Sequence, residues 1–304
     1  MSLQTSIQVP ASTTNLGAGF DVLGLALRLY LRVDLQETLR AKPEFELLGE
    51  GVHDLPANED NLIWKVARRV FEGEKQPVPG VRLRIESQIP LARGLGSSAA
   101  AIVAGISCFE ALTGRELSPD SFFRYAFEFE NHPDNITTAR FGGFTVSAVA
   151  EDGKVSFFRT PISPELKILL TVPEFRLETQ KARAAIPRTL DLSSAVFNLQ
   201  RSSLTVAALL KSEFHFLREA LRDKLHQPFR AELIPGFDEI LRLNQEEIAG
   251  LAGICLSGAG PSVLAFAQGN PDEIFSRIAA IFERHGLRSR RFELEVDNQG
   301  RTIH

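Results

Sequence analysis

The residues with the most evident chemistry form one run, Pro90-Leu91-Ala92-Arg93-Gly94-Leu95-Gly96-Ser97-Ser98-Ala99-Ala100-Ala101. It follows an alternating segment and opens an apolar one, so it reads as a loop between a strand and a helix. The first N–H groups of a helix lack intrahelical partners and stand at the positive end of the dipole, so such a start attracts anions. Gly94 and Gly96 allow positive φ and close backbone approach. The hydroxyls of Ser97 and Ser98 can bond phosphate oxygens or ligate a cation, and the small Ala99–Ala101 stretch lets the helix pack tightly below. The lysine of GxxxxGK[ST] is missing, so this is not a Walker A loop. Gly94, Gly96 and Ala99 also fit G-x-G-x-x-A, but a dinucleotide site needs a strand ending in an acidic residue about 20 positions later. At that distance the chain reads Glu116-Leu117-Ser118-Pro119 and enters another helical segment. Two readings stay open on these residues alone: a phosphate loop, or a glycine-rich helix start without a ligand.

The elements that must position this loop are short and mixed. Ser6–Val9 and Leu29–Leu35 read as strands, with Thr13–Gly24 as a glycine-rich loop between them. Asn61–Phe71 has helical spacing, with Asn58 or Asp60 as N-cap. Val81–Ile89 alternates as a half-buried strand. Helices are expected over Ala99–Leu112, Pro119–Glu130 (capped by Ser118), Ser193–Lys211, Phe214–Leu225, Phe237–Asn244 and Pro271–Arg284. Strands are expected over Lys167–Val172, Ile254–Leu256, Val263–Ala267 and Ser289–Val296. Because helices and strands do not alternate cleanly, the pattern fits an α+β fold better than a doubly wound sheet. The polar, proline-containing stretch Glu151–Pro164 marks a domain junction, giving units 1–155 and 156–304.

Composition narrows the class. The 304 residues are 44% hydrophobic and 24% charged, with a formal net charge of −4. A nucleic-acid or anionic-membrane binder usually carries a basic excess, so neither partner is expected. Cys108 and Cys255 lie in apolar runs, where reduced, buried thiols are the rule. The six histidines lack an HxxxH or similar metal spacing. MSLQTSIQVP has no basic or apolar leader pattern, and no apolar run approaches the ~20 residues of a membrane helix. The expectation is a cytoplasmic protein.

PLARGLGSSAA resembles the phosphate loop of the GHMP kinases. Val9-Pro10-Ala11-Ser12-Thr13-Thr14-Asn15-Leu16-Gly17-Ala18-Gly19-Phe20-Asp21 is similar to the VPATSANLGPGFD signature of the homoserine kinases in that family. Leu256-Ser257-Gly258-Ala259-Gly260-Pro261-Ser262 resembles the third GHMP motif. His132-Pro133-Asp134-Asn135 and the segment from Asp223 to Arg230 also resemble homoserine kinase segments, so the likeness spans almost the whole chain. There are departures: Thr13-Thr14 stands for Ser-Ala, Ala18 for proline, Asn131 for glycine, and Ile136-Thr137-Thr138 for Val-Ala-Pro.

The resemblance implies an N-terminal domain like domain 2 of ribosomal protein S5, a ferredoxin-like C-terminal domain, and ATP held between them. It implies that Pro90, Arg93, Gly94, Leu95, Gly96, Ser97, Ser98 and Ala99 wrap the nucleotide phosphates, with Asn61, Leu62 and Ile63 where the family holds adenine. It implies Mg2+ on Ser98 and Glu130. It implies L-homoserine as acceptor, contacted by Asn15, Asp21, His132, Asn135, Arg183 and Arg230. Asp21, Asn135 and Arg183 carry the catalytic expectation, with Asp21 beside the hydroxyl or the ammonium and the arginines on the carboxylate. Phosphoryl transfer needs mainly positioning and charge stabilisation, so no obligatory base is expected. A homodimer is common among such relatives.

Overall fold

The computed structural model describes residues 4–40 and 42–304; the first three residues of the opening segment read above lie outside the described residues. In chain order, β1 is Gln4–Asn15, β2 Gly19–Thr38, β3 Glu44–Gly49, α1 Leu62–Gly73, β4 Gly80–Ser87, α2 Ser97–Thr113, α3 Pro119–Ala126, α4 Pro133–Phe141, β5 Phe144–Val149 and β6 Val155–Thr160. The second half continues with β7 Lys167–Pro173, α5 Thr179–Ala184, α6 Leu192–Lys211, α7 Leu217–Ala220, α8 Gln227–Ala231 and α9 Phe237–Arg242. It closes with β8 Leu251–Leu256, β9 Val263–Ala267, α10 Pro271–Arg284, β10 Ser289–Leu294 and β11 Thr302–Ile303.

The first sheet runs β11-β1-β2-β4-β3, with β5 and β6 continuing from β2; β3 and β4 are parallel and the other pairings antiparallel. The second runs β10-β7-β9-β8, wholly antiparallel. Counted along the chain, its strands stand in the order fourth, first, third, second, the βαββαβ arrangement expected of a ferredoxin-like unit.

The second sheet is apolar on both faces, and its alternation sorts the core. Ile168, Leu170, Val172, Leu264 and Phe266 join the cluster that includes Ile7, Val33 and Ile102 of the first half. Leu169, Val263, Ala265, Ile254 and Leu256 face the other way, onto Ile240, Ile274 and Ile278 of α9 and α10. A sheet buried on both sides reads as continuous apolar runs, as Leu251–Leu256 and Val263–Ala267 do. Both cysteines are free and buried.

Several expectations are corrected. Most of the Thr13–Gly24 loop is strand, because β1 and β2 form a long hairpin that turns at Leu16–Ala18 with Asn15, Leu16 and Gly17 all at positive φ. Helix α1 is capped by Asn61, whose Oδ1 accepts from Ile63 N at 3.1 Å, not by Asn58 or Asp60. Helix α3 stops at Ala126, and Glu130 follows the turn at 127–129; Pro133 holds His132, the residue before it, in extended backbone.

The helix expected over Phe214–Leu225 is broken after Ala220. The buried Asp223 carboxylate accepts from the N–H groups of Leu225, His226 and Gln227 and from Asn198 Nδ2, which favours a turn over a helix. The junction expected at 155/156 falls at the first residue of β6, which pairs with β5 through Thr160. The first sheet therefore continues past that point, and β11 returns to it from the C-terminus.

Candidate active site

The end of β1 and two loops interlock beneath the start of α2. Ser12 N donates to Leu95 O at 3.2 Å, Gly258 N to Thr14 O at 3.1 Å and Ser262 N to Arg93 O at 3.4 Å. The Ser257 hydroxyl donates to Gly94 O at 2.7 Å and lies 2.9 Å from the Thr13 hydroxyl. The approach demands glycine: at Gly94, φ is +73° and a Cβ would stand 2.1 Å from Ser257 O. Gly96, φ +67°, is the N-cap of α2 and offers no side-chain cap; a Cβ there would meet Ser12 Oγ at 1.9 Å. Among the described residues no acceptor takes the N–H of Ser97, Ser98 or Ala99. Uncapped donors at the start of a 17-residue helix have the geometry and dipole that suit an anion.

Beside this loop opens a cleft of about 220 Å3, lined by Leu31, Leu55, Leu62, Ile63, Ile85 and Leu91 and floored by Ser97, Ser98 and Ala101. An apolar slot next to an anion site suits a planar base joined to phosphates. Asn61 walls the slot, with both ends of its amide committed: Oδ1 caps α1 and Nδ2 donates to Pro56 O at 2.9 Å. Pro90 and Arg93 face a neighbouring cleft shared with Arg176, Arg290, Glu50 and Glu174. Burial, followed by repulsion from Arg176 and Arg290, lowers the Arg93 pKa.

On the other side of the loop, Asn15 Nδ2 donates to Gly258 O at 2.7 Å and its Oδ1 accepts from Asp21 N at 3.0 Å. Asp21 has φ +57°, a strained setting for a non-glycine residue. Its two carboxylate oxygens accept from Arg183 Nη2 at 2.7 and 2.9 Å, while Arg183 Nε is buried without a partner. The Phe20 ring lies between two cations, 5.1 Å from the Arg183 guanidinium carbon and 5.4 Å from that of Arg230.

Arg230 is 1% exposed. Its Nε donates to Ala182 O at 3.3 Å, and Nη1 donates to Gly258 O at 3.0 Å and to His226 Nδ1 at 3.1 Å. Among the described residues no carboxylate comes within ion-pair distance of it. Burial and then Arg183 push its pKa down to about 10. The contacts of His226 define its tautomer: Nε2–H donates to Gly17 O at 2.8 Å while Nδ1 accepts from Arg230. Burial lowers its pKa and keeps it neutral.

The α4 start completes the wall. The Ser12 hydroxyl donates to Asn135 Oδ1 at 2.9 Å, and Asn135 Nδ2 donates to the Thr14 hydroxyl at 3.2 Å. Asp134 is 1% exposed, and burial, followed by the Asp21 charge, raises its pKa to about 6. His132 Nδ1 bonds Glu130 Oε1, and that contact raises the His132 pKa.

The fold thus gathers Asn15, Asp21, Arg183 and Arg230 in one place, and Asn135 joins the loop at Gly96 through Ser12. No hydrogen bond joins Ser98 to Glu130 among the described residues. Sequence reasoning gave Asp134 no role; its place inside His-Pro-Asp-Asn was the available signal. His226, Phe20 and Asp223 were also unmarked; burial of the side chain gives His226 and Asp223 a role, and its place between two guanidinium groups gives one to Phe20.

The chain matches the model of the GHMP kinases N terminal domain over residues 61–143 and of the GHMP kinases C terminal over residues 205–284. The homoserine kinase of Aquifex aeolicus is 40% identical over 300 residues, 98% of this chain and 99% of that one. That of Moorella thermoacetica is 38% identical over 298 residues, again covering 98% and 99%. The solved homoserine kinase of Cytophaga hutchinsonii superposes with a TM-score of 0.86 at 26% identity, covering 99% of this chain and 97% of that one. The Methanococcus jannaschii mevalonate kinase shares the fold with a TM-score of 0.70 at 16% identity, covering 96% and 98%. With both halves matched and the likeness running end to end, the chain belongs to the GHMP kinases, in the homoserine kinase branch of that family.

Proposed function

We propose that this chain transfers the γ-phosphoryl group of ATP to the side-chain hydroxyl of L-homoserine, giving ADP and O-phospho-L-homoserine, as the names of its relatives suggest. The observation that carries the acceptor is Arg230, a buried guanidinium bonded only to two carbonyls and a neutral imidazole. A buried cation without an anion is costly, and a substrate carboxylate supplies the missing charge. The orphaned Nε of Arg183 supports the same reading.

The Asp21–Arg183 pair then acts as a placeholder. An amino acid brings one charge of each sign, so its ammonium takes Asp21 while its carboxylate takes Arg183 and Arg230. Because Arg183 is 41% exposed, the exchange sacrifices little. A neutral sugar offers neither charge, and mevalonate offers only one. His132 and Asn135 border the hydroxyl, and the uncapped N–H groups of α2 with the Ser97 and Ser98 hydroxyls cradle the phosphates. Glu130 and Ser98 are oxygen donors, the kind that suits Mg2+ with phosphates and water completing its shell; when bound, that ion neutralises phosphate charge. The residues themselves hold the two substrates in line, which is most of what this reaction requires. ATP and a free amino acid both belong to the cytoplasm, where we place the reaction.

The test is ADP release with MgATP and, in turn, L-homoserine, mevalonate, galactose and L-serine. Saturable turnover confined to L-homoserine is expected. Turnover with mevalonate or galactose and none with L-homoserine would reject this acceptor.

A further inference from the structure

His226 is fully buried, and both of its ring nitrogens are committed to groups of the acceptor site. It stands four residues before Arg230, and Arg230 N donates to His226 O at 3.0 Å, so the turn of α8 stacks one side chain over the other. Nδ1 accepts from Arg230 Nη1 at 3.1 Å, while Nε2–H donates to Gly17 O at 2.8 Å. Asp223 Oδ2 lies 3.5 Å from Nε2 and favours the proton on that nitrogen. Gly17 belongs to the turn that carries Asn15, Phe20 and Asp21. A second strut runs beside the first: Gly258 O accepts from Asn15 Nδ2 at 2.7 Å and from Arg230 Nη1 at 3.0 Å. Arg230 is thereby tied twice to the turn that holds Asp21.

We infer that His226 is a positioning residue for acceptor specificity: it fixes the span between Arg230 and the Asp21 turn without neutralising the guanidinium. The inference rests on the acceptor reading above, in which Asp21 takes the ammonium and Arg230 the carboxylate. A histidine buried only for packing needs its polar atoms satisfied by any neighbours. Here the two nitrogens join one half of the site to the other. In an L-α-amino acid a single carbon carries both charged groups, so a fixed span selects that spacing.

The choice of residue also answers an electrostatic need. A carboxylate at position 226 would pair with Arg230 and leave it no charge for a substrate. An apolar ring would leave Nη1 with one acceptor and the guanidinium free to turn. A neutral imidazole gives direction and leaves the charge in place. Asp223, three residues earlier, is kept from pairing with Arg230, because its oxygens accept from the N–H groups of Leu225, His226 and Gln227 and from Asn198 Nδ2. The imidazole also packs on Phe20 with ring centroids 5.2 Å apart, supporting the ring that separates Arg183 from Arg230.

Steady-state kinetics of the full chain with MgATP test this with three substitutions. In His226→Asn the amide Oδ1 falls where Nδ1 was and still accepts from Arg230, whereas in His226→Gln the amide reaches Gly17 and Arg230 loses its acceptor. His226→Phe keeps a ring and loses both bonds. KM for L-homoserine should rise by about 10- to 100-fold in the Phe and Gln variants, the range for losing a hydrogen bond to a charged group. The Asn variant should stay within about threefold of the parent, and KM for ATP should not move in any of them. The parent should prefer L-homoserine over 3-amino-5-hydroxypentanoate, in which one more carbon separates ammonium from carboxylate. That preference should narrow by about 10-fold in the Phe variant. A Phe variant with the parent's KM for L-homoserine, a Gln variant that matches the Asn one, or a KM for ATP that rises in step with that for L-homoserine would each overturn the proposal, the last by making the residue merely structural. Should the Phe variant fail to fold, the comparison of Asn with Gln decides alone. A parent that turns over mevalonate or galactose and not L-homoserine would instead reject the acceptor reading beneath the proposal, a result visible before any variant is made.

Discussion

At the scale of single residues, Asp134 is a carboxyl whose ionisation the fold opposes. Burial and the Asp21 charge raise its pKa from 3.8 to about 6. A folded-state pKa above the unfolded one means that the stability it contributes is fully present below about pH 4 and lost as pH rises through about 6, roughly 3 kcal/mol in all. Asp134→Asn should therefore flatten the decline in urea-unfolding free energy between about pH 4 and 6; parallel curves for parent and variant would show that the carboxyl titrates normally. The residue was half legible. Asp-Asn after proline announces a turn, and it is the burial of that turn against Thr14 and Asp21 that converts a solvated carboxylate into a perturbed one. Arg230 was legible only by likeness to a family, since an arginine in sequence carries no mark of its burial. Ser97 and Ser98, by contrast, were readable from elementary chemistry, because helix starts and glycines have local signatures.

At the scale of elements, the proposed phosphate loop depends on two glycines that let three backbone segments touch. Gly94→Ala places a methyl group against the Ser257 carbonyl and should lower kcat/KM for ATP by about 100-fold through displacement of the α2 start. Gly114 also has positive φ, yet a Cβ there meets nothing within 4 Å. Gly114→Ala should cost about 1 kcal/mol of stability and leave the kinetic constants alone. Equal losses of activity in the two variants would mean that backbone strain alone, and not the contact with Ser257, governs the loop. Elements with strong periodicity were legible: α10 was expected over Pro271–Arg284 and is found there. The Phe214–Leu225 helix was not, because the apolar periodicity says nothing of Asp223 taking three backbone N–H groups. Strand β6 was hidden in a stretch whose polar and proline content suggested a junction.

At the scale of the molecule, the two sheets share one core. Ile168, Leu170, Val172, Leu264 and Phe266 pack into the cluster of the first half, and β11 returns the C-terminus to β1. We propose that the units divide between Thr160 and Lys167 yet unfold together. Fluorescence of the single tryptophan, Trp64 in the first half, should give the same urea midpoint as far-UV CD; two separated transitions would show independent domains. The same junction brings the phosphate loop of one half to Arg183 and Arg230 of the other, and the central claim is that Arg230 waits for the carboxylate of the acceptor. The direct measurement compares kcat/KM for L-homoserine with that for 3-amino-1-propanol, which lacks the carboxylate, in the parent and in Arg230→Met. The parent should prefer L-homoserine by about 100- to 1,000-fold, and Arg230→Met should lose most of that preference, since separating a buried charge pair costs about 3–5 kcal/mol. An Arg230→Met variant that still prefers L-homoserine by the parent's factor would contradict the account.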